Sequence, residues 1–245
     1  MELHHAHAPQ KEKKIKHYLF EFLMLFLAVS AGFFVENLRE RIVENKREKE
    51  YILSVSEDLK LDIYTIDSII NIRKKKDLLL DSLLYLLNYT DPNKNGNDIY
   101  YYARWAPRTY RFYSNDRTML QLKNSGNWRL IHKKEVSTAL QLYDELVRSL
   151  TLYIEQREES LVLIMYSSIN KLFDNRVFNT MVNGLSFVRP VNNPQLLSTS
   201  KADLNEFCNQ LHFLKNSNLY FTITSQTILN NARKTLELLK KEYHL

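Results

Sequence analysis

The densest chemistry in the 245-residue chain lies between Asp98 and Tyr113, DIYYYARWAPRTYRFY. Tyr100, Tyr101, Tyr102, Trp105, Tyr110, Phe112 and Tyr113 interleave there with Arg104, Arg108 and Arg111. Rings beside guanidiniums suit stacking and cation–π contacts with sugars, unpaired bases or a protein partner. The plainer reading is that the rings cap one end of a helix bundle while the arginines snorkel outward. Tyr101, Arg104, Trp105, Arg108, Tyr110 and Arg111 are therefore the partner-binding candidates.

A second chemical oddity is Glu21, the one charge in the apolar run Tyr18–Val35, YLFEFLMLFLAVSAGFFV. It lies about one turn inside that run, where a carboxylate reaches lipid headgroups or Lys14 and Lys16. The mid-bilayer penalty of about 2.5–3.5 kcal/mol then applies only in part. In an assembly, several copies of Glu21 would form an acidic ring suited to a cation or a partner's basic residue. Snorkelling is the alternative. Ala28 and Gly32, four residues apart on one face, form a small-xxx-small pair that lets two helices approach closely.

Other reactive types do not assemble. His4, His5 and His7 sit in a polar tail without fixed metal geometry. Asp91, Asn93, Asn95 and Gly96 match the opening of a calcium loop, but its twelfth position is Tyr102 where a bidentate Glu is needed, so an Asn/Asp turn is expected. Cys208 is the single cysteine, and His132 and His212 stand alone. A glycine-rich phosphate loop, HExxH and a nucleophile elbow are all missing. The sequence predicts neither catalysis nor a cofactor.

The elements that must position these residues are long. Four glycines and five prolines leave few turns, and 44% hydrophobic with 25% charged residues suits a folded, helical chain. Tyr18–Val35 spans about 27 Å at about 1.5 Å per residue, the thickness of a hydrocarbon core. Gly32–Val35 prolongs it past any cleavage site, so a retained anchor is expected rather than a signal peptide. The net charge is +6. Lys13, Lys14 and Lys16, with Lys11, precede the anchor and suit anionic headgroups at about 1 kcal/mol each. A nucleic-acid partner has no motif to support it. Arg39, Arg41, Lys46, Arg47 and Lys49 follow the anchor, nearly balancing the positive-inside count. A tail inside and a domain outside is the favoured orientation.

Residues 1–17 read as a basic tail, 18–35 as the anchor, 36–50 as a charged helical neck and 51–245 as a helical bundle. Ile52, Val55, Leu59, Ile63, Ile66 and Ile70 step by three and four, and Leu80, Leu84 and Leu87 resume after the basic run Arg73–Lys76. A short helix over Asp116–Lys123, capped by Ser114 or Asn115, ends at Gly126. From Lys133 a long helix presents Val136, Leu140, Tyr143, Val147, Leu150 and Ile154, then Leu161, Ile164 and Leu172. Asn183-Gly184 and Pro190–Pro194 mark loops, and Ser200 with Asp203 opens the last helix through Leu204, Cys208, Leu211, Ile228, Ala232, Leu236 and Leu239. Its middle, Leu219–Thr224, holds β-formers but is read as helix.

Two stretches resemble an uncharacterised family of bacterial single-pass membrane proteins, domain of unknown function sixty-ninety. Glu21, Ala28, Gly32, Asn37 and Glu40 fall at its anchor positions, though a membrane-edge Trp is replaced by Leu38. Ser125-Gly126-Asn127-Trp128-Arg129-Leu130-Ile131 is similar to its Ser-Gly-Asn-Leu-Arg-Leu-Ile run. The resemblance implies an anchored helical domain and no activity. Together these features predict an all-α, homo-oligomeric interaction or scaffold protein of the inner membrane, contacting lipid and a protein or cell-wall partner. A sensor subunit or a subunit of an ion-conducting oligomer is the alternative.

Overall fold

The computed structural model describes residues 11–245, with side chains from Ile15 onward apart from that of Glu155. His4, His5 and His7, and the side chains of Lys13 and Lys14, lie outside the described residues. The protein is all-α apart from one two-stranded hairpin. Contacts divide it into two units, Met1–Tyr51 and Ile52–Leu245. One helix, α1 (Lys11–Tyr89), supplies the described part of the first unit and opens the second.

In the first unit the apolar residues are exposed all round: Phe20 is 63% exposed and Phe33 69%. An 18-residue window has a mean hydropathy of 2.1 and none of it is buried. A helix apolar on every side and left uncovered needs a nonpolar surrounding. It is long and apolar enough to cross a membrane. Beyond it Arg39 Nη2 donates to Glu36 Oε1 at 2.6 Å, one of the charge pairs of the solvated neck.

The second unit is a helical bundle. After α1 come α2 (Gly96–Trp105), α3 (Arg117–Asn124), α4 (Lys134–Tyr153), α5 (Glu159–Leu172), α6 (Asn175–Thr180), the hairpin β1 (Val182–Asn183) and β2 (Ser186–Phe187), and α7 (Lys201–Tyr243). Helices α4 and α5 pack along α7. The expected stripe on α1 is the buried one, from Ile52, Val55 and Leu59 to Ile66 and Ile70, and on to Leu80 and Leu87. Two members differ: Ile63 is half-buried, and Leu83 rather than Leu84 is fully buried. Helix α7 is unbroken through Leu219–Thr224, because Phe221 inserts into the core and outweighs the local β preference. Its start is the expected one, with Ser200 Oγ accepting from the Asp203 N–H at 3.2 Å.

Two departures matter for the site. Between α4 and α5 the helix makes a π turn over Ile154–Glu158. Beyond it Val162, Met165 and Ile169 are buried where Leu161 and Ile164 were expected, and Leu172 is buried as expected; Ile164 is 57% exposed. The turn also leaves Glu158 with no exposure at all. The second departure is the hairpin. Asn183-Gly184 lies not in a plain loop but at a tight reversal with Gly184 at φ +59°, pairing Val182 with Phe187. Short helix α3 is entered from Asp116, not capped by Ser114 or Asn115, and ends as expected on Gly126 in the left-handed region.

Candidate functional site

Helix α2 is anchored by one face. Ile99, Tyr100 and Ala103 are fully buried, and the Tyr100 hydroxyl donates to Gln195 O at 3.1 Å while accepting from the Asp174 N–H at 2.9 Å. The flank of that face, at Arg104, and the chain that leaves α2 carry the arginines. Arg104 and Arg108 flank a single ring, Phe187 of β2, with guanidinium carbons 4.7 Å and 4.8 Å from its centroid. Trp105 meets the same ring edge-on at 5.0 Å, Arg108 lies 5.7 Å from the Trp105 ring, and Arg104 lies 5.2 Å from Phe178. Arg104, Pro107, Arg108, Thr109, Tyr166 and Phe187 line a cleft of about 440 Å³.

The six partner-binding candidates do not form one patch. Arg104, Trp105 and Arg108 assemble around Phe187. Tyr101 belongs to a neighbouring stack under Arg189, 4.2 Å from its ring centroid, and Arg189 is held by Asp98 at 2.5 Å. Arg111 is paired with Glu159. Tyr110 offers its backbone carbonyl to Arg73 rather than its ring to a partner. The segment is thus divided between a guanidinium–ring cluster and contacts that cap the bundle, and Phe187 and Tyr166 are the cleft-lining residues that sequence reasoning missed.

What fixes the segment after α2 is a buried ionic cluster. Arg73 Nη1 and Nη2 donate to the two Glu158 oxygens at 2.6 and 2.9 Å, and both side chains have no exposure. The same guanidinium donates from Nε to Tyr110 O at 3.0 Å and stacks 3.9 Å above the Phe221 centroid. Lys76 Nζ donates to Arg108 O at 2.7 Å and lies 3.7 Å from Glu158. Burial pulls the Lys76 ammonium down to about 8; Glu158 opposes the shift and Arg73 adds to it. Arg73 and Lys76 therefore do not interrupt the apolar stripe as the basic run Arg73–Lys76 suggests. They continue the apolar stripe at positions i and i+3, while Lys74 and Lys75 face out.

The far end of the segment is held by two aspartates of α1. Asp62 accepts from the Asn115 N–H at 2.7 Å, from Asn115 Nδ2 at 2.8 Å and from the Tyr143 hydroxyl at 2.5 Å. Asp58 accepts from Thr118 Oγ1 at 2.6 Å and Arg117 Nη2 at 3.1 Å. Burial pushes the Asp62 carboxyl above its ordinary range against these hydrogen bonds, and raises the Tyr143 phenol well above its own.

Elsewhere, Glu21 sits 3.2 Å from His17 one turn before it, not against Lys16, and both partners are exposed. Ala28 is exposed, and a Cβ on Gly32 would meet nothing within 4 Å. Asn37 and Glu40 are exposed on α1. Ser125, Gly126, Asn127 and Arg129 form the exit of α3 and the 3₁₀ turn after it, where Ser125 Oγ donates to Gln121 O at 2.6 Å. Asp91 Oδ1 accepts from the Asn93 N–H at 3.0 Å, so the Asn/Asp loop is a turn, and Asn93 O also accepts from Asn193 Nδ2 at 2.6 Å and Gln195 Nε2 at 2.9 Å. Among the described residues no three His, Cys, Asp or Glu side chains gather as a metal would require. No family model matches the chain, and neither a curated protein nor a solved structure does.

Proposed function

We propose that the chain is a membrane-anchored helical binding protein, a scaffold without catalysis, whose bundle engages a partner through Arg104, Trp105 and Arg108. The observation that carries this reading is the pair of guanidiniums stacked on one buried ring at the mouth of a cleft. Among the described residues neither has a carboxylate partner. Arginines and tryptophan at a pocket are the residue types that dominate binding surfaces.

The anchor is Tyr18–Val35, crossing the inner membrane of a bacterium once, with residues 1–17 inside and the bundle outside. Its uncovered helix, with Ala28 and Gly32 open on one face, favours a homo-oligomer. The resemblance at Glu21–Glu40 and Ser125–Ile131 supports placing it with the single-pass family named above. Reporter fusions at the tail and after Leu245 test the topology. In-cell crosslinking from Tyr166 tests the binding face: a partner captured by wild type and lost in Arg104→Gln/Arg108→Gln is expected. A monomer in mild detergent that crosslinks to nothing would remove the reading.

A further inference from the structure

The cleft between α2 and the hairpin has a chemistry more specific than a general contact surface. Its lining holds two cations and no acid: Arg104 and Arg108, with Pro107, Thr109, Tyr166 and Phe187. Other arginines nearby in the chain are neutralised. Arg111, three residues on, pairs with Glu159, and Arg189, two residues beyond Phe187, pairs with Asp98. Each unpaired guanidinium lies over the Phe187 ring, which satisfies one planar face and leaves the N–H edge to seek an acceptor.

Two donors in this region are already out of reach of water. Arg104 Nε and Trp105 Nε1 are buried, and among the described residues neither has a hydrogen-bond partner. A donor that water cannot reach is closed to a ligand as well, which leaves the terminal nitrogens of Arg104 and Arg108 to the cleft. The backbone adds to the donor set. Lys76 holds the Arg108 carbonyl inward, and a planar trans peptide then directs the Thr109 N–H away from the buried cluster. At about 440 Å³ the space suits a small organic molecule rather than a bare ion. Phe187, Tyr166 and Pro107 supply apolar walls for the rest of it.

We infer that this cleft binds a small organic oxyanion, in which a phosphate or carboxylate bridges Arg104 and Arg108 and a flat or apolar body lies beside Phe187 and Tyr166. The inference rests on the reading that the Arg104–Arg108 face is a binding surface, and names what that face takes. Two guanidinium forks match the oxygen geometry of such a group, and ring stacking strips water from the cations without removing their charge.

Isothermal titration of the full chain in uncharged detergent tests this, with phenyl phosphate and benzoate as probes and benzyl alcohol as the neutral control. Saturable binding of an anion that weakens as salt rises is expected, with no saturation by benzyl alcohol. Arg108→Gln, at an exposed side chain, should weaken binding at least about tenfold, and Arg108→Lys less than Arg108→Gln. Dihexanoyl phosphatidic acid as a further arm separates the sources: tighter binding than phenyl phosphate assigns the site to a lipid headgroup, weaker binding to a soluble ligand. Absence of saturation by any anion up to about 10 mM would overturn the inference. So would equal affinity in wild type and Arg108→Gln. If partner crosslinking from Tyr166 persists while no anion binds, the inference alone has failed; if both are absent, the binding surface has failed with it.

Discussion

Glu158→Gln is the perturbation that most directly probes how the bundle holds its candidate site. Glu158 is fully buried and takes two short hydrogen bonds from Arg73 with a longer approach from Lys76. Removing one partner of a buried pair leaves an uncompensated charge, at about 3–5 kcal/mol. Lys76 limits the damage, because it can shed its proton. With its ammonium at about 8, neutralising it at pH 7 costs about 1.4 kcal/mol, and less once Glu158 no longer favours the charge. Arg73 has no such exit. Urea unfolding of the full chain, followed by near-UV circular dichroism, should therefore show a loss of about 3–5 kcal/mol at pH 7 and a somewhat smaller loss at pH 9. The amides of residues 106–113 should exchange faster, since the Arg108 and Tyr110 carbonyls lose their fixed donors. The triple replacement Arg73→Met/Lys76→Met/Glu158→Leu should recover most of the stability without restoring slow exchange. A Glu158→Gln protein within about 1 kcal/mol of wild type would refute the assignment of this cluster as the clamp.

Lys76→Met isolates the pH term: folded Lys76 titrates below its ordinary 10.5, so the unfolded chain binds more protons between about 8 and 10.5 and wild-type stability rises with pH across that window. The wild type should gain on Lys76→Met by roughly 3 kcal/mol over it, read as the difference in unfolding free energy at each pH; a flat difference contradicts the shift. Tyr143→Phe removes the hydroxyl donated to buried Asp62 and should lose about 1.5–3 kcal/mol in the same unfolding assay, with no loss if Asp62 finds water. Gly96→Ala would place a Cβ against the Pro194 carbonyl, where α2 and the 190–195 loop approach most closely. About 1–3 kcal/mol of destabilisation is expected, and an unchanged thermal midpoint would show that the loop simply moves aside.

Period-3.6 patterning was enough to find α4 and α7 and the stripe of α1, because burial and spacing agree from Ile52 to Ile70 and from Val136 to Ile154. It misplaced part of the face of α5 because Leu161–Met165 is apolar at every position, so the pattern does not separate Leu161 with Ile164 from Val162 with Met165. The aromatic–arginine segment was visible as composition, but its division was not. Nothing local marks Tyr110 and Arg111 as structural, or connects Phe187 to Arg104 across the hairpin. One signal was available: Arg73 and Lys76 fall in step with Ile70 and Leu80, which a solvated basic run has no reason to do. Charge on a core position was read as interruption when it was continuation.

Leu161-Val162-Leu163-Ile164-Met165 is apolar at every position, so its hydrophobicity is degenerate: an unbroken α-helix burying Leu161 and Ile164 would satisfy burial nearly as well as the one that buries Val162 and Met165. Hydrophobicity alone then says little about which of these residues faces the core. Glu158, four residues after buried Ile154, meets Arg73 at the start of that run, so a polar contact fixes the facing of residues whose hydrophobicity alone does not.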